Sequence, residues 1–61
     1  MKFELTVELP EDMASERREK ELSRILRYWA GNMKHYELVD GDSSEIYDSE
    51  YRQVGTWTIS E

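Results

Sequence analysis

The chain has no cysteine, one histidine, one proline and three glycines among its 61 residues. Without thiols there is no disulfide framework, and a lone His35 cannot build a His/Cys metal cluster from one chain. No apolar run exceeds three residues, far short of the roughly 20 needed to span a bilayer as a helix. Met1-Lys2-Phe3 leads straight into alternating polar residues, so neither a signal segment nor a membrane segment is expected. The missing cysteine agrees with a reducing compartment, and the expected location is the cytoplasm.

A further absence is local. From Glu37 to Glu50 there is no Lys or Arg, yet six carboxylates fall there: Glu37, Asp40, Asp42, Glu45, Asp48 and Glu50. Residues 1 to 36 hold seven acids and seven bases, whereas residues 37 to 61 hold seven acids against Arg52 alone, so the whole net charge of −6 sits in the last part of the chain. Such an asymmetry predicts an acidic surface offered to a basic protein partner.

At this length the chain is one domain, and it buries only about 60% of the surface its unfolded form exposes. Small domains usually add a disulfide, a metal or a partner subunit to that thin margin, and the first two are nearly excluded here. Homodimerisation is therefore an expectation. The 11% aromatic content argues for a folded core in spite of 36% charged residues, which form a coat around it.

Phe3, Leu5, Val7 and Leu9 alternate with polar residues at the period of two that a half-buried strand requires. Pro10 ends the strand because it lacks the N–H a ladder needs, and Pro10-Glu11-Asp12 predicts the start of a helix. Leu22, Ile25, Leu26, Trp29 and Met33 then form one apolar helical stripe, with Gly31-Asn32 as its expected end. Lys34 to Val39 reads as a short strand, followed by turn chemistry at Asp40-Gly41-Asp42. Glu45 to Asp48 and Gln53 to Ile59 read as a hairpin, with the Trp57 side facing inward and Gly55 as a bulge position. The order β-α-β-β-β predicts an α+β two-layer sandwich, one amphipathic helix on a mainly antiparallel sheet.

Motifs for chemistry are thin. Asp40, Asp42 and Ser44 match the first three ligand positions of a calcium loop, but Glu45 stands where its glycine belongs and Tyr51 where its terminal glutamate belongs. His35 is the only base for six serines, none in a nucleophile-elbow context, and a chain this small has little room for a pocket that raises a carboxylate pKa. No enzymatic activity, metal or cofactor is expected. Arg17, Lys20, Arg24 and Arg27 share one helical face, the basis of an alternative reading as a nucleic-acid binder, although Glu16, Glu19 and Glu21 interleave with them. The leading reading uses the acidic hairpin residues Asp40, Asp42, Glu45, Asp48 and Glu50 with Tyr47 and Tyr51. Tyr28, Tyr47 and Tyr51 are the rings left over for a contact surface once Trp29 and Trp57 fill the core.

A short acidic chain ending in the hairpin Ile46-Tyr47-Asp48-Ser49-Glu50-Tyr51-Arg52-Gln53-Val54-Gly55-Thr56-Trp57-Thr58-Ile59 resembles the small accessory proteins of bacteriophages and prophages. That resemblance implies a non-enzymatic binder acting on a host protein, by inhibition or by mimicry of a nucleic-acid backbone.

Overall fold

A computed structural model describes every residue, Met1 to Glu61. Strand β1 (Lys2–Val7) is followed by helix α1 (Ser15–Asn32), strand β2 (Ser43–Tyr47) and strand β3 (Gln53–Ser60). The fold is α+β, and α1 lies on one face of a three-stranded antiparallel sheet ordered β1-β3-β2. β3 is the central strand. Leu5 stands opposite Trp57 on one side of it, and Ser44 stands opposite Trp57 on the other.

Alternation decides which residues reach the helix. Ile46, Trp57 and Ile59 point inward to meet Ile25 and Trp29, and these five form the buried core, with Leu5, Val7, Met33, Leu38 and Val54 packed around them. Trp57 is the hub: its ring lies 5.5 Å from Trp29, 5.0 Å from Tyr36 and 5.9 Å from Phe3, centroid to centroid. The first two contacts are edge-on, the geometry aromatic quadrupoles prefer.

Several boundaries differ from the sequence reading. Pro10 to Met13 forms a turn of its own, closed by the Met13 N–H on the Pro10 carbonyl at 3.1 Å, and α1 begins only at Ser15 with Ala14 as its extended cap. At the other end Gly31 and Asn32 stay right-handed rather than capping the helix, and a 3-10 turn over Met33–His35 prolongs it. That prolongation removes the strand expected over Lys34 to Val39. The chain there crosses irregularly, with Leu38 at φ 59 so that its side chain can reach the core. The sheet thus has three strands where four were expected.

The apolar stripe is also rotated from its expected position. Glu21, Ile25 and Trp29 are the buried line of α1, whereas Leu22 and Leu26 remain 39% and 55% exposed. A three-stranded sheet is too narrow to cover both flanks of the helix. At Gly55 the sheet bulges: Ile46 pairs with Gly55 but Tyr47 pairs with Gln53, leaving Val54 as the extra residue. A Cβ at Gly55 would stand 2.9 Å from the Thr6 carbonyl carbon and 3.0 Å from the Val7 Cα, so the close approach of β1 requires glycine there.

Candidate functional site

The six-carboxylate stretch does not form one surface. β2 runs through its middle, so Asp40 and Asp42 lie at one end of the strand and Asp48 and Glu50 at the other, roughly 20 Å apart at about 3.3 Å per residue. With a Debye length of about 8 Å at physiological salt, the two ends act separately. Each is also occupied internally. Asp42 Oδ2 accepts the Val39 N–H at 3.2 Å, and Asp40 Oδ1 accepts the Glu61 N–H at 3.2 Å.

Asp48 is the surprise of this group, because it is 5% exposed. Its Oδ1 accepts the backbone N–H groups of Glu50 and Arg52, both at 2.9 Å, while Oδ2 takes the Arg52 Nε at 3.1 Å. Those bonds, led by the Arg52 N–H, hold its carboxyl below the usual carboxylate value. An aspartate folded into its own turn is closed to a partner. It organises the hairpin loop instead, in which Tyr51 N–H donates to the Asp48 carbonyl at 3.0 Å.

Helix α1 reaches the same loop through Glu21, 7% exposed, whose Oε1 accepts the Ser49 N–H at 3.0 Å. Hydrogen bonds from Ser49 lower its pKa, aided by Arg24 at 3.7 Å. Arg24 in turn donates from Nη2 to the Tyr47 carbonyl at 2.8 Å, and Arg17 pairs with Glu50 at 3.1 Å. The basic helix face and the acidic hairpin are therefore partners of each other. Of the four cations proposed for nucleic-acid contact, Arg27 bonds the Ser23 carbonyl and Lys20 alone makes no hydrogen bond or ion pair.

What remains accessible is a cleft of about 290 Å³ between α1 and β2. Tyr28, Trp29, Tyr47 and Tyr51 line it, with Ser44 and Glu45 on the strand side and Arg24 on the helix side. Tyr47 donates its hydroxyl proton to Glu45 Oε2, and that bond raises the phenol above its ordinary value. Four rings and a surface carboxylate around one opening suit a cation with an apolar stem, since ring faces and the carboxylate attract the charge together, while the Arg24 guanidinium on the helix side is paired with Glu21 at 3.7 Å. No three His, Asp or Glu side chains converge as a metal site would need.

No known family model, curated protein or solved structure matches this chain. The site therefore rests on geometry alone. Of the residues named from sequence, Glu45, Tyr47 and Tyr51 come together at the cleft; Asp48 lines it but is committed to the turn; Glu50 is ion-paired; Asp40 and Asp42 lie at the far end of the strand. Tyr28 joins the cleft as one of the rings expected to be left over. Ser44 was missed as a wall residue, and nothing in its sequence context marks it.

No helix is long and apolar enough to cross a membrane.

Proposed function

We propose that the chain is a small non-enzymatic binding protein that engages a basic protein partner, with an arginine or lysine side chain of that partner entering the cleft between α1 and β2. The observation that carries this reading is Tyr51. It is 88% exposed and has φ 62, a left-handed conformation. A side chain bearing a Cβ is held there at a cost of about 1–2 kcal/mol, which glycine avoids. Folding gains nothing from a solvent-exposed ring at a strained position, so the ring is there for something outside the fold. Its neighbours Tyr28, Tyr47 and Glu45 supply the rest of a cation-accepting wall. Inhibition of a host protein, the role the resemblance to phage accessory proteins implies, is one use of such a surface. The pairing of Arg17 with Glu50 and of Arg24 with Glu21 favours this reading over nucleic-acid binding.

The test is Tyr51→Gly with hexa-arginine peptide as probe. Removing the ring should leave the melting temperature unchanged or raise stability by up to about 1 kcal/mol, while binding of the peptide, followed by tryptophan fluorescence, is lost. Glu45→Gln should weaken binding without unfolding. Retention of wild-type affinity by Tyr51→Gly, or equal affinity for hexa-glutamate, would sink the proposal.

A further inference from the structure

The two outer strands end the sheet differently. Glu8 N–H donates to the Val54 carbonyl at 2.8 Å, continuing a ladder in which the even-numbered residues of β1 face β3. The backbone N–H and C=O groups of Phe3, Leu5 and Val7 consequently point away from the sheet, and no side chain or loop bonds them. On β2 two of the outward carbonyls are taken: that of Tyr47 by Arg24 at 2.8 Å, that of Glu45 by the Ser44 hydroxyl at 3.3 Å. One edge is partly capped by side chains and the other is an open template.

The side chains beside the open edge are apolar. Arg24 and Tyr28 turn towards β2, which places Leu22 and Leu26 on the opposite flank of α1, above β1. Phe3, on the same layer, is 44% exposed.

We propose that β1 pairs antiparallel with β1 of a second copy of this chain, about a dyad through Leu5. Register follows from faces and charges. Inward side chains must meet inward side chains, so the paired residue numbers sum to an even value. A sum of eight sets Glu4 against Glu4, and a sum of twelve sets Glu4 against Glu8, both repulsive. A sum of six loses the Val7 pairing. A sum of ten sets Leu5 opposite Leu5, Phe3 opposite Val7, Glu4 opposite Thr6 and Lys2 opposite Glu8. It satisfies every outward group of Phe3, Leu5 and Val7 and forms the Lys2–Glu8 pair twice. In the isolated chain Lys2 has only Glu4, at 3.9 Å, and both side chains are exposed. Phe3 becomes covered by Val7 of the second copy, and the two Leu22–Leu26 flanks face each other above a continuous sheet. The clefts stay open at its outer edges, so this inference stands or falls separately from the binding role.

Sedimentation equilibrium and amide exchange test it. The wild type should dimerise, with exchange at Leu5 slowing as concentration rises. Lys2→Glu and Glu8→Lys each set like charges at both ends and should each weaken association about tenfold. The double swap Lys2→Glu with Glu8→Lys should restore it, and circular dichroism should be the same for all four proteins. A wild type that stays at 7.3 kDa up to about 1 mM overturns the proposal; so does a dimer indifferent to the single charge changes, or one whose Leu5 amide exchanges independently of concentration.

Discussion

The two edges of the sheet are built from opposite materials. At the β2 edge side chains fasten the loop: Glu21 holds Ser49, Asp48 holds Glu50 and Arg52, and Arg24 holds the Tyr47 carbonyl. At the β1 edge the helix offers Leu22 and Leu26, and the strand offers unpaired backbone. The difference shows how one helix serves a sheet too small for it. Its polar flank is spent on fastening the hairpin, and its apolar flank is left uncovered. Stability within the chain accordingly depends on charge at one edge and on shape at the other.

Gly55→Ala breaks this arrangement most severely. The added methyl group meets the Thr6 backbone, so β1 must move off β3, while the bonds of the β2 loop are untouched. Overpacking of this kind costs about 3 kcal/mol or more when the obstacle is backbone. That is a large share of the roughly 3–9 kcal/mol expected for a domain of this length. The midpoint of urea unfolding should drop accordingly, and amides of β1 should lose protection before those of Ser49 to Arg52. Equal loss at both edges would show that the sheet yields as one unit.

Acid should open the other edge first. Glu21 and Asp48 both have pKa values lowered from their ordinary 4.5 and 3.8. In the unfolded chain they take up protons at those higher values, so between the ordinary and the lowered values the unfolded state binds more protons and stability falls with pH. Their contribution is complete above about pH 4.5, shrinks below it, and is gone once both lowered values are passed. In amide exchange and chemical-shift titrations, Ser49, Glu50 and Arg52 should respond together as pH falls, ahead of Thr6, Thr56 and Thr58 in the β1–β3 ladder. Asp48→Asn should lower the melting temperature at pH 7 and flatten its dependence on acid.

How far this division is visible in the sequence depends on the kind of signal. β1 and the Trp57 side of β3 are written as period-two patterns, with Pro10 after the first and Gly55 marking the bulge in the second, and the structure has both. Helix α1 is written at period 3.6, but its rotation is not. Leu22 and Leu26 outrank Glu21 in apolarity, and only the Ser49 N–H waiting across the gap turns the acid inward. Asp48 is hidden for the same reason. A carboxylate in an acidic run looks solvated until the turn that it closes is known. Tyr36 and Leu38 mimic strand alternation, yet Leu38 adopts φ 59 because the core takes its side chain in a way that no local pattern encodes. The cleft depends on Tyr51 in a left-handed position, and sequence favours glycine or asparagine there.

The smallest expected effect is the sharpest probe of the β2 edge. Tyr47 gives its hydroxyl proton to Glu45, and both the hydrogen bond and the nearby charge resist its ionisation, raising its pKa above 10.0. A raised value means the interaction is fully present below about pH 10 and is lost as pH rises through the folded value. Ultraviolet titration of the four tyrosines should therefore contain one late component, absent from Tyr47→Phe and moved back towards 10.0 in Glu45→Gln. Hexa-arginine should move it the same way, because a guanidinium at Glu45 competes for the carboxylate and favours the phenolate. The β1 edge contains no tyrosine, so the lysine-to-glutamate change at position 2 should leave this component where it is. A late component insensitive to the peptide would leave Tyr47 as a structural neighbour of Glu45 and take it out of the contact surface.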